Sequence, residues 1–293
     1  MTTADSSRRT ALVALVLITL IWSYNWIVMK QVLAYVGPFD FSALRYVLGT
    51  GVLFAVLLAR RESPRPPPLG PTVLIGLAQT TGFQGLVQWA LVDGGAGKTA
   101  LLAYTMPFWV VVLTWLLFAE RPSLRLWLSL GVAAGGLLLV LAPWLGFGDA
   151  KSSVLALGGG ACWALGVVLS KRLFQRGGIS ALSLTAWQML IGSLGLVVLA
   201  LATHTRPIEW SGYFVGALAY NAILSSGLAW LMWSYVVARL PAGIAGLSSL
   251  VIPIAGIGFA WVLLGERPSL REGVGIGLIV LALILATQGR RRA

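Results

Sequence analysis

Residues 119–125 read AERPSLR and residues 265–271 read GERPSLR, so six of seven positions are identical at an offset of 146. At the same offset Pro107 falls on Pro253. Further pairs fall at this offset or at one of 141: Gly97 with Gly243, Trp22 with Trp163, and Lys30 with Lys171. Two copies of one unit are the simplest explanation of such matches. We therefore predict two repeats, residues 1–148 and 149–293.

The composition is that of a membrane protein. Of the 293 residues, 58% are hydrophobic and only 10% are charged, and the mean hydropathy is +0.88. Runs of apolar residues, each near the length of about 20 that crosses a bilayer, fall at about 12–29, 41–59, 71–92, 99–118, 126–145, 153–170, 181–202, 212–236, 242–264 and 273–287. The sequence predicts an all-α membrane protein with ten transmembrane helices in a lipid bilayer.

The basic residues predict the orientation, because cytoplasmic loops carry an excess of Lys and Arg. With a cytoplasmic N-terminus, fourteen lie inside: Arg8, Arg9, Arg60, Arg61, Arg65, Arg121, Arg125, Lys171, Arg172, Arg176, Arg239, Arg290, Arg291 and Arg292. Six lie outside: Lys30, Lys98, Lys151, Arg206, Arg267 and Arg271. We predict a multi-pass protein of a bacterial-type inner (plasma) membrane with both termini cytoplasmic. Arg45 alone falls within a span, near its start, and we interpret it as reaching out to the interface.

The net charge of +12 does not indicate nucleic acid as a partner, because the basic residues are scattered in small groups at the ends of apolar runs.

Each repeat contains five predicted helices, an odd number, so the second repeat enters the membrane from the opposite side. Inverted repeats of this kind place a binding site near the bilayer midplane, between the halves.

These features resemble the EamA branch of the drug/metabolite transporter superfamily. The resemblance rests on the Trp22-to-Lys30 segment and its echo Trp163 to Lys171, on the two repeated prolines, and on the Glu-Arg-Pro triplets at 120–122 and 266–268. It covers essentially the whole chain and is strongest toward the YddG-type exporters of aromatic and other neutral amino acids. The resemblance implies a secondary transporter that exports small, net-neutral amphipathic metabolites by alternating access around a central cavity.

Polar and aromatic side chains inside the spans are the candidates for contact with such a small-molecule substrate. We predict as substrate-binding Trp163, Tyr24, Asn25, Gln84, Gln88, Tyr104, Trp187, Gln188, Tyr220, Asn221 and Ser248. Hydrogen bonds between helices are the competing explanation for many of them. Pro107 and Pro253 are predicted to break their helices and to free the carbonyls of Ala103 and Ser249, as substrate ligands or as simple packing kinks.

Other functions fit less well. The single Cys162 and single His204 make a metal site improbable, and no cofactor is predicted. A membrane enzyme would need a nucleophile with its base or a paired-carboxylate site, and neither is visible. A multidrug or organic-cation exporter is the main alternative, although the first span lacks the glutamate found in small multidrug relatives. A non-transporting scaffold fits the inverted repeat poorly, and the sequence does not indicate an oligomeric state.

Two expectations concern the mechanism. Helices five and ten carry almost no polar residues, so we expect the cavity to be walled by helices one, three, four, six, eight and nine. No Asp, Glu or His falls in the middle of a span. We therefore expect transport without a proton relay inside the membrane.

Overall fold

The computed structural model describes residues 3–141, 150–203, 206–256 and 269–288, and all regular structure within these ranges is helical. The predicted all-α class is therefore confirmed. In chain order the helices are α1 (Thr3–Gln31), α2 (Pro38–Ala59), α3 (Leu69–Ile75, Gly76–Gly82 and Phe83–Asp93), α4 (Ala96–Ala103 and Met106–Phe118), α5 (Leu124–Leu141), α6 (Ala150–Gln175), α7 (Ala181–Ala202), α8 (Gly212–Tyr220, Asn221–Leu228 and Ala229–Arg239), α9 (Ala242–Ser248 and 251–256) and α10 (Leu270–Gln288). The predicted repeat boundary at 148 and 149, His204 and residues 266–268 lie outside the described ranges.

Among the described residues, six segments are long and apolar enough to cross a membrane: Thr10–Ala34, Pro38–Ala59, Thr99–Phe118, Ala150–Gln175, Ala181–Ala202 and Gly212–Arg239. Two shorter apolar helices, Leu124–Val140 and Ala242–Gly256, accompany them. Many large apolar side chains on the outside of the bundle remain exposed, for example Leu201 at 79%. In water this surface would be unfavourable, whereas acyl chains solvate it at no cost.

The serine of the repeated ERPSL motif makes the same contact at a helix start in both copies. The hydroxyl of Ser123 accepts the backbone N–H of Leu126 at 3.3 Å, and that of Ser269 accepts the N–H of Glu272 at 3.3 Å. These positions correspond at the offset of 146. In both copies the serine satisfies a free donor at the start of a helix, α5 or α10.

Helices α3 and α8 each contain a π-helical segment, Gly76–Gly82 and Asn221–Leu228, at corresponding positions of the two halves. A π segment inserts an extra residue per turn and often marks a functional region. The segment of α3 packs directly on α7, where a Cβ atom on Gly76 would lie 2.5 Å from the carbonyl oxygen of Gln188. The segment of α8 packs similarly on Gly49 of α2, where a Cβ would lie 3.0 Å from the carbonyl of Ala222.

Two corresponding lysines bind the ends of these same helices. Lys30 donates to the carbonyls of Leu91 at 2.6 Å and Val92 at 3.2 Å, at the end of α3. Lys171 donates to the carbonyls of Val237 at 3.1 Å and Ala238 at 3.2 Å, at the end of α8. A cation is favourable there because the last carbonyls of a helix lack partners and carry partial negative charge.

Helices α5 and α10 pack on each other at the side of the bundle. A Cβ on Gly136 would lie 2.6 Å from the carbonyl of Gly275, and one on Gly275 would lie 2.7 Å from the carbonyl of Gly136. Only glycine permits this approach, a common way for membrane helices to associate. Buried residues of both helices, such as Ala133 and Ile279, belong to the large apolar core of the bundle.

Candidate functional site: a buried arginine beside a tryptophan cluster

A small cavity of about 30 Å³ lies inside the bundle. It is lined from α1, α2, α3, α4, α6 and α8 by Trp22, Asn25, Trp26, Met29, Arg45, Tyr46, Phe83, Gln84, Val87, Tyr104, Trp163, Ser225 and Trp230. Five of the six helices that we expected to line the cavity contribute residues to it. The expectation for α9 is wrong for this cavity, and α2 takes part instead. None of these lining residues comes from α5 or α10.

One wall is a cluster of aromatic rings around Trp163, which is only 1% exposed. Phe83 stacks on Trp163 with ring centroids 4.9 Å apart, and Trp22 meets it edge-on at 5.7 Å. Trp230 and Trp233 complete the cluster at 6.0 and 5.5 Å from Trp163. Trp22 and Trp163 are the corresponding residues of the two halves, so this contact joins the repeats. Such rings suit an apolar or aromatic ligand, through area burial and edge or face contacts.

The indole N–H groups of the cluster differ in their partners. Trp230 donates to the Tyr46 hydroxyl at 2.8 Å, and Trp22 donates to the carbonyl of Ser225 at 3.1 Å. The buried N–H of Trp163 has no hydrogen-bond partner. Buried indole N–H groups normally find an acceptor. Trp163 can therefore offer a donor to a ligand in the cavity.

Arg45 lies in the interior, and our interpretation that it reaches the interface is wrong. It is the eighth residue of α2, about 10 Å along the helix from Pro38, and only 1% exposed. The guanidinium is held from two sides: Nη1 donates to Asn221 Oδ1 at 2.8 Å and Nη2 donates to Gln84 Oε1. We expected the Arg45 side chain to take the shortest route to solvent, but hydrogen bonds to the two amides stabilise the inward position.

The cavity brings several predicted residues together. Trp163, Asn25, Gln84 and Tyr104 line it, and Asn221 reaches it through Arg45. The side-chain oxygen Oδ1 of Asn25 is buried and has no partner. The lining thus combines polar groups with aromatic surface, as an amphipathic ligand requires.

The other predicted residues lie outside the lining and have partners of their own. Tyr24 is 46% exposed and contacts the ring of Tyr220, at 5.7 Å. Tyr220 donates to Ile21 O, Gln88 to Met29 O, Trp187 to Pro64 O and Ser248 to Ile244 O, while Gln188 accepts from Thr80. Helix-to-helix or local bonding therefore accounts for these side chains in the structure.

The two prolines act differently from the expectation of open carbonyls. Helix α4 breaks just before Pro107, between Ala103 and Met106. The Ala103 carbonyl lies against α6, where a Cβ on Gly160 would be 2.8 Å from it. The Ser249 carbonyl accepts the N–H of Ile252 at 3.0 Å. Neither carbonyl is open to the cavity, because helix packing and a local turn occupy them.

A second cavity of about 240 Å³ lies where the end of α4, the start of α5, the end of α6 and the start of α9 meet. Val168 and Lys171 of α6 line it, whereas Trp163 lines the first cavity. At 1.5 Å per residue the two positions on α6 are about 8–12 Å apart. The two cavities have no lining residue in common.

The halves of the chain each match one known family profile, that of the EamA-like transporter family, over residues 9–142 and 150–288. The chain belongs to the EamA-like transporter family. The family resemblance inferred from the repeated motifs is thereby confirmed.

Several known proteins match the chain almost end to end. An uncharacterized transporter of Bacillus subtilis, YoaV, is 27% identical, over 94% of this chain and 96% of that one. A probable amino-acid metabolite efflux pump of Salmonella typhimurium is 26% identical, over 97% of each chain. The uncharacterized inner membrane transporter YedA of Escherichia coli is 25% identical, over 94% and 90%. These relatives are membrane transporters, so the protein is classed with transporters and not with enzymes.

The fold is shared with a protein of known crystal structure. That structure superposes with a TM-score of 0.77 at 21% identity and covers 96% of this chain and 97% of that chain. At this identity the likeness concerns the fold alone.

Proposed function

We propose that the protein moves small, net-neutral amphipathic metabolites across the inner membrane, with aromatic and other neutral amino acids as the first candidates. The observation that carries the proposal is the cavity itself. Its lining combines the polar side chains of Arg45 and Asn25 with the rings of Trp163 and Phe83. A zwitterion with an apolar side chain needs this combination. The relative named as an amino-acid metabolite efflux pump gives independent support.

The transport mode that we propose is alternating access between two inverted five-helix halves, with both termini in the cytoplasm. Three observations support it: the family profile matches once in each half, the π segments occupy corresponding positions, and Lys30 and Lys171 bind corresponding helix ends. A pair of halves related in this way can exchange conformations, so that the central site opens to one side and then to the other.

Export of organic cations is the competing function, and the site disfavours it. The cavity lining contains a buried Arg45 and no Asp or Glu. A cationic drug would therefore meet a like charge in a low-dielectric interior, and nothing in the lining would compensate its own charge.

A proteoliposome counterflow panel tests the proposal. Liposomes that contain the purified protein should accumulate labelled phenylalanine and leucine several-fold over protein-free liposomes. They should not accumulate a quaternary ammonium cation or a sugar phosphate. Accumulation of the cation without either amino acid would contradict the proposal. Trp163→Ala should abolish phenylalanine counterflow through loss of ring contacts, whereas Trp210→Ala, at a residue 63% exposed, should leave it unchanged.

A further inference from the structure

We propose that Arg45 binds the carboxylate of the substrate, and that the cavity takes apolar monocarboxylates with or without an α-amino group. This assignment rests on the proposed transport function and narrows its substrate class. It predicts that analogues of amino acids that lack the α-amino group are also ligands. The proposal that the protein transports neutral amino acids does not by itself make this prediction.

In the described part of the chain no carboxylate balances the charge of Arg45, and only the rings of Phe41 and Tyr46, with centroids 5.4 and 5.0 Å from the guanidinium carbon, offer it weak attraction. The residue takes part in no ion pair within the described part of the chain, where no Asp or Glu is buried. Its hydrogen-bond partners, Asn221 and Gln84, are neutral amides. Amides orient a guanidinium but do not neutralise it, and an uncompensated buried charge is costly. A bound anion would supply the missing charge.

The geometry leaves donors for that anion. A guanidinium has five N–H donors, and the bonds to Asn221 and Gln84 account for two. The Nε–H of Arg45 is buried without a partner, and the residue lines the cavity. Because a carboxylate accepts two parallel N–H bonds from the guanidinium fork, it fits this donor set better than a single-point acceptor.

The fold does not require a cation at this position. Helices α2 and α7 are both 22 residues long, and aligning their first residues places Gly49 on Gly192 and Arg45 on Gln188. Gln188 is buried and accepts a hydrogen bond from Thr80 at 2.9 Å. The same helix position is thus filled by a neutral amide in the second half, so the charge of Arg45 has a use beyond packing.

The α-amino group of a substrate would find only neutral partners in the lining. The free Oδ1 of Asn25 can accept one N–H, and the tryptophan faces can attract a cation weakly. An ammonium that meets only neutral acceptors lacks the opposite charge that Arg45 offers to a carboxylate, so its contacts contribute less to binding. Removal of the amine should therefore weaken binding less than removal of the carboxylate.

A matched ligand series tests this with purified full-length protein and calorimetric titration. Phenylalanine has both groups, 3-phenylpropionate lacks the amine, and phenethylamine and phenylalanine amide lack the carboxylate. Loss of the amine, which has neutral partners, should raise Kd by about 2- to 10-fold, and loss of the carboxylate, which meets a cation, by about 10- to 100-fold. Weaker binding of 3-phenylpropionate than of phenethylamine would overturn the proposal.

Variants assign the effect to Arg45. Arg45→Gln, which copies Gln188, should bind all four ligands equally weakly, and Arg45→Lys should retain part of the preference for carboxylates. Arg65→Gln, which removes an exposed loop charge, should behave as the wild type. Should Arg45→Gln fail to fold, Asn221→Leu releases the guanidinium without removing it, and should raise Kd for the two carboxylates but not for phenethylamine. An unchanged preference in the folded variants would overturn the assignment.

Two further results separate this proposal from its alternatives. Sodium chloride alone should not raise the thermal unfolding midpoint in a way that depends on Arg45. If sodium chloride raised the midpoint as much as 3-phenylpropionate does, the site would be one for inorganic anions, and the proposal would be overturned. Phenylalanine counterflow that persists unchanged in Arg45→Gln would overturn the assignment while transport stands. Carboxylate binding that depends on Arg45 without any counterflow would support the assignment while the transport proposal fails.

Discussion

At the scale of single residues, Gly160 decides how closely α4 approaches α6. The Ala103 carbonyl, which Pro107 leaves without its usual helical donor, lies where a side chain at 160 would begin, 2.8 Å from a Cβ. We expect Gly160→Ala to separate the helices and to lower stability by about 1–3 kcal/mol, as overpacking does.

The thermal unfolding midpoint in detergent measures this. Gly158→Ala is the matched control, because its Cβ would meet nothing nearer than Leu86 Cδ1 at 3.5 Å. Equal midpoints for the two variants would show that the contact with Ala103 is of no importance.

Residue-level prediction from the sequence succeeded where chemistry is unusual and failed where partners are distant. Trp163 and Gln84 stood out as polar or aromatic groups in apolar runs, and both line the cavity. Arg45 was misplaced because its partners Gln84 and Asn221 are 39 and 176 residues away. Without knowledge of that packing, a cation near a span end is expected to reach the interface.

At the scale of helices, Lys30 and Lys171 fasten α1 to the end of α3 and α6 to the end of α8. We expect Lys30→Met and Lys171→Met each to lower the free energy of unfolding by about 1.5–3 kcal/mol, the range for hydrogen bonds to a charged group. Similar losses in the two variants are expected, because the contacts correspond.

Denaturation in mixed micelles followed by circular dichroism measures these losses. Lys151→Met is the control, since the Lys151–Asp93 pair spans 3.2 Å but its side chains are 53% and 47% exposed. Such an exposed pair contributes about 0–1 kcal/mol. A loss in the control as large as in the other two variants would contradict the role given to these lysines.

Helix positions followed from hydropathy, but the internal irregularities of the helices did not. The break in α4 was indicated by Pro107, because proline removes a donor. The π segments at Gly76–Gly82 and Asn221–Leu228 had no visible signal. Each π segment lies where its helix packs closely on a neighbouring helix, so tertiary contacts explain it. The hydrophobic pattern of a single sequence does not reveal such contacts.

At the scale of the whole molecule, the matched serines test the inverted arrangement. Ser123 and Ser269 make the same helix cap, yet we predict them on opposite faces of the membrane. In a Cys162→Ala background, an impermeant thiol reagent should label Ser269→Cys in intact cells, and Ser123→Cys only after permeabilisation. Labelling of both positions from the same side would refute the inverted repeats and the alternating-access proposal.

The energetics can also be tested on the intact transporter. In the described ranges no Asp or Glu is buried, so a coupling proton has no acidic group within the core of the bundle. We expect phenylalanine counterflow to proceed at the same rate with and without an imposed pH gradient. Concentrative uptake that requires the gradient and vanishes with a protonophore would reveal a coupling group that we have missed.

The uncompensated charge of Arg45 has a consequence for the electrical balance of transport. Because Arg45 stays with the protein, each cycle transfers only the charge of the substrate itself. A zwitterion transfers none, whereas a monocarboxylate carries one negative charge outward, down an inside-negative membrane voltage. At 100 mV this contributes about 2.3 kcal/mol, a ratio of about 50 between outside and inside concentrations. A potassium diffusion potential should therefore drive 3-phenylpropionate but not phenylalanine, and voltage would give export its direction without any proton.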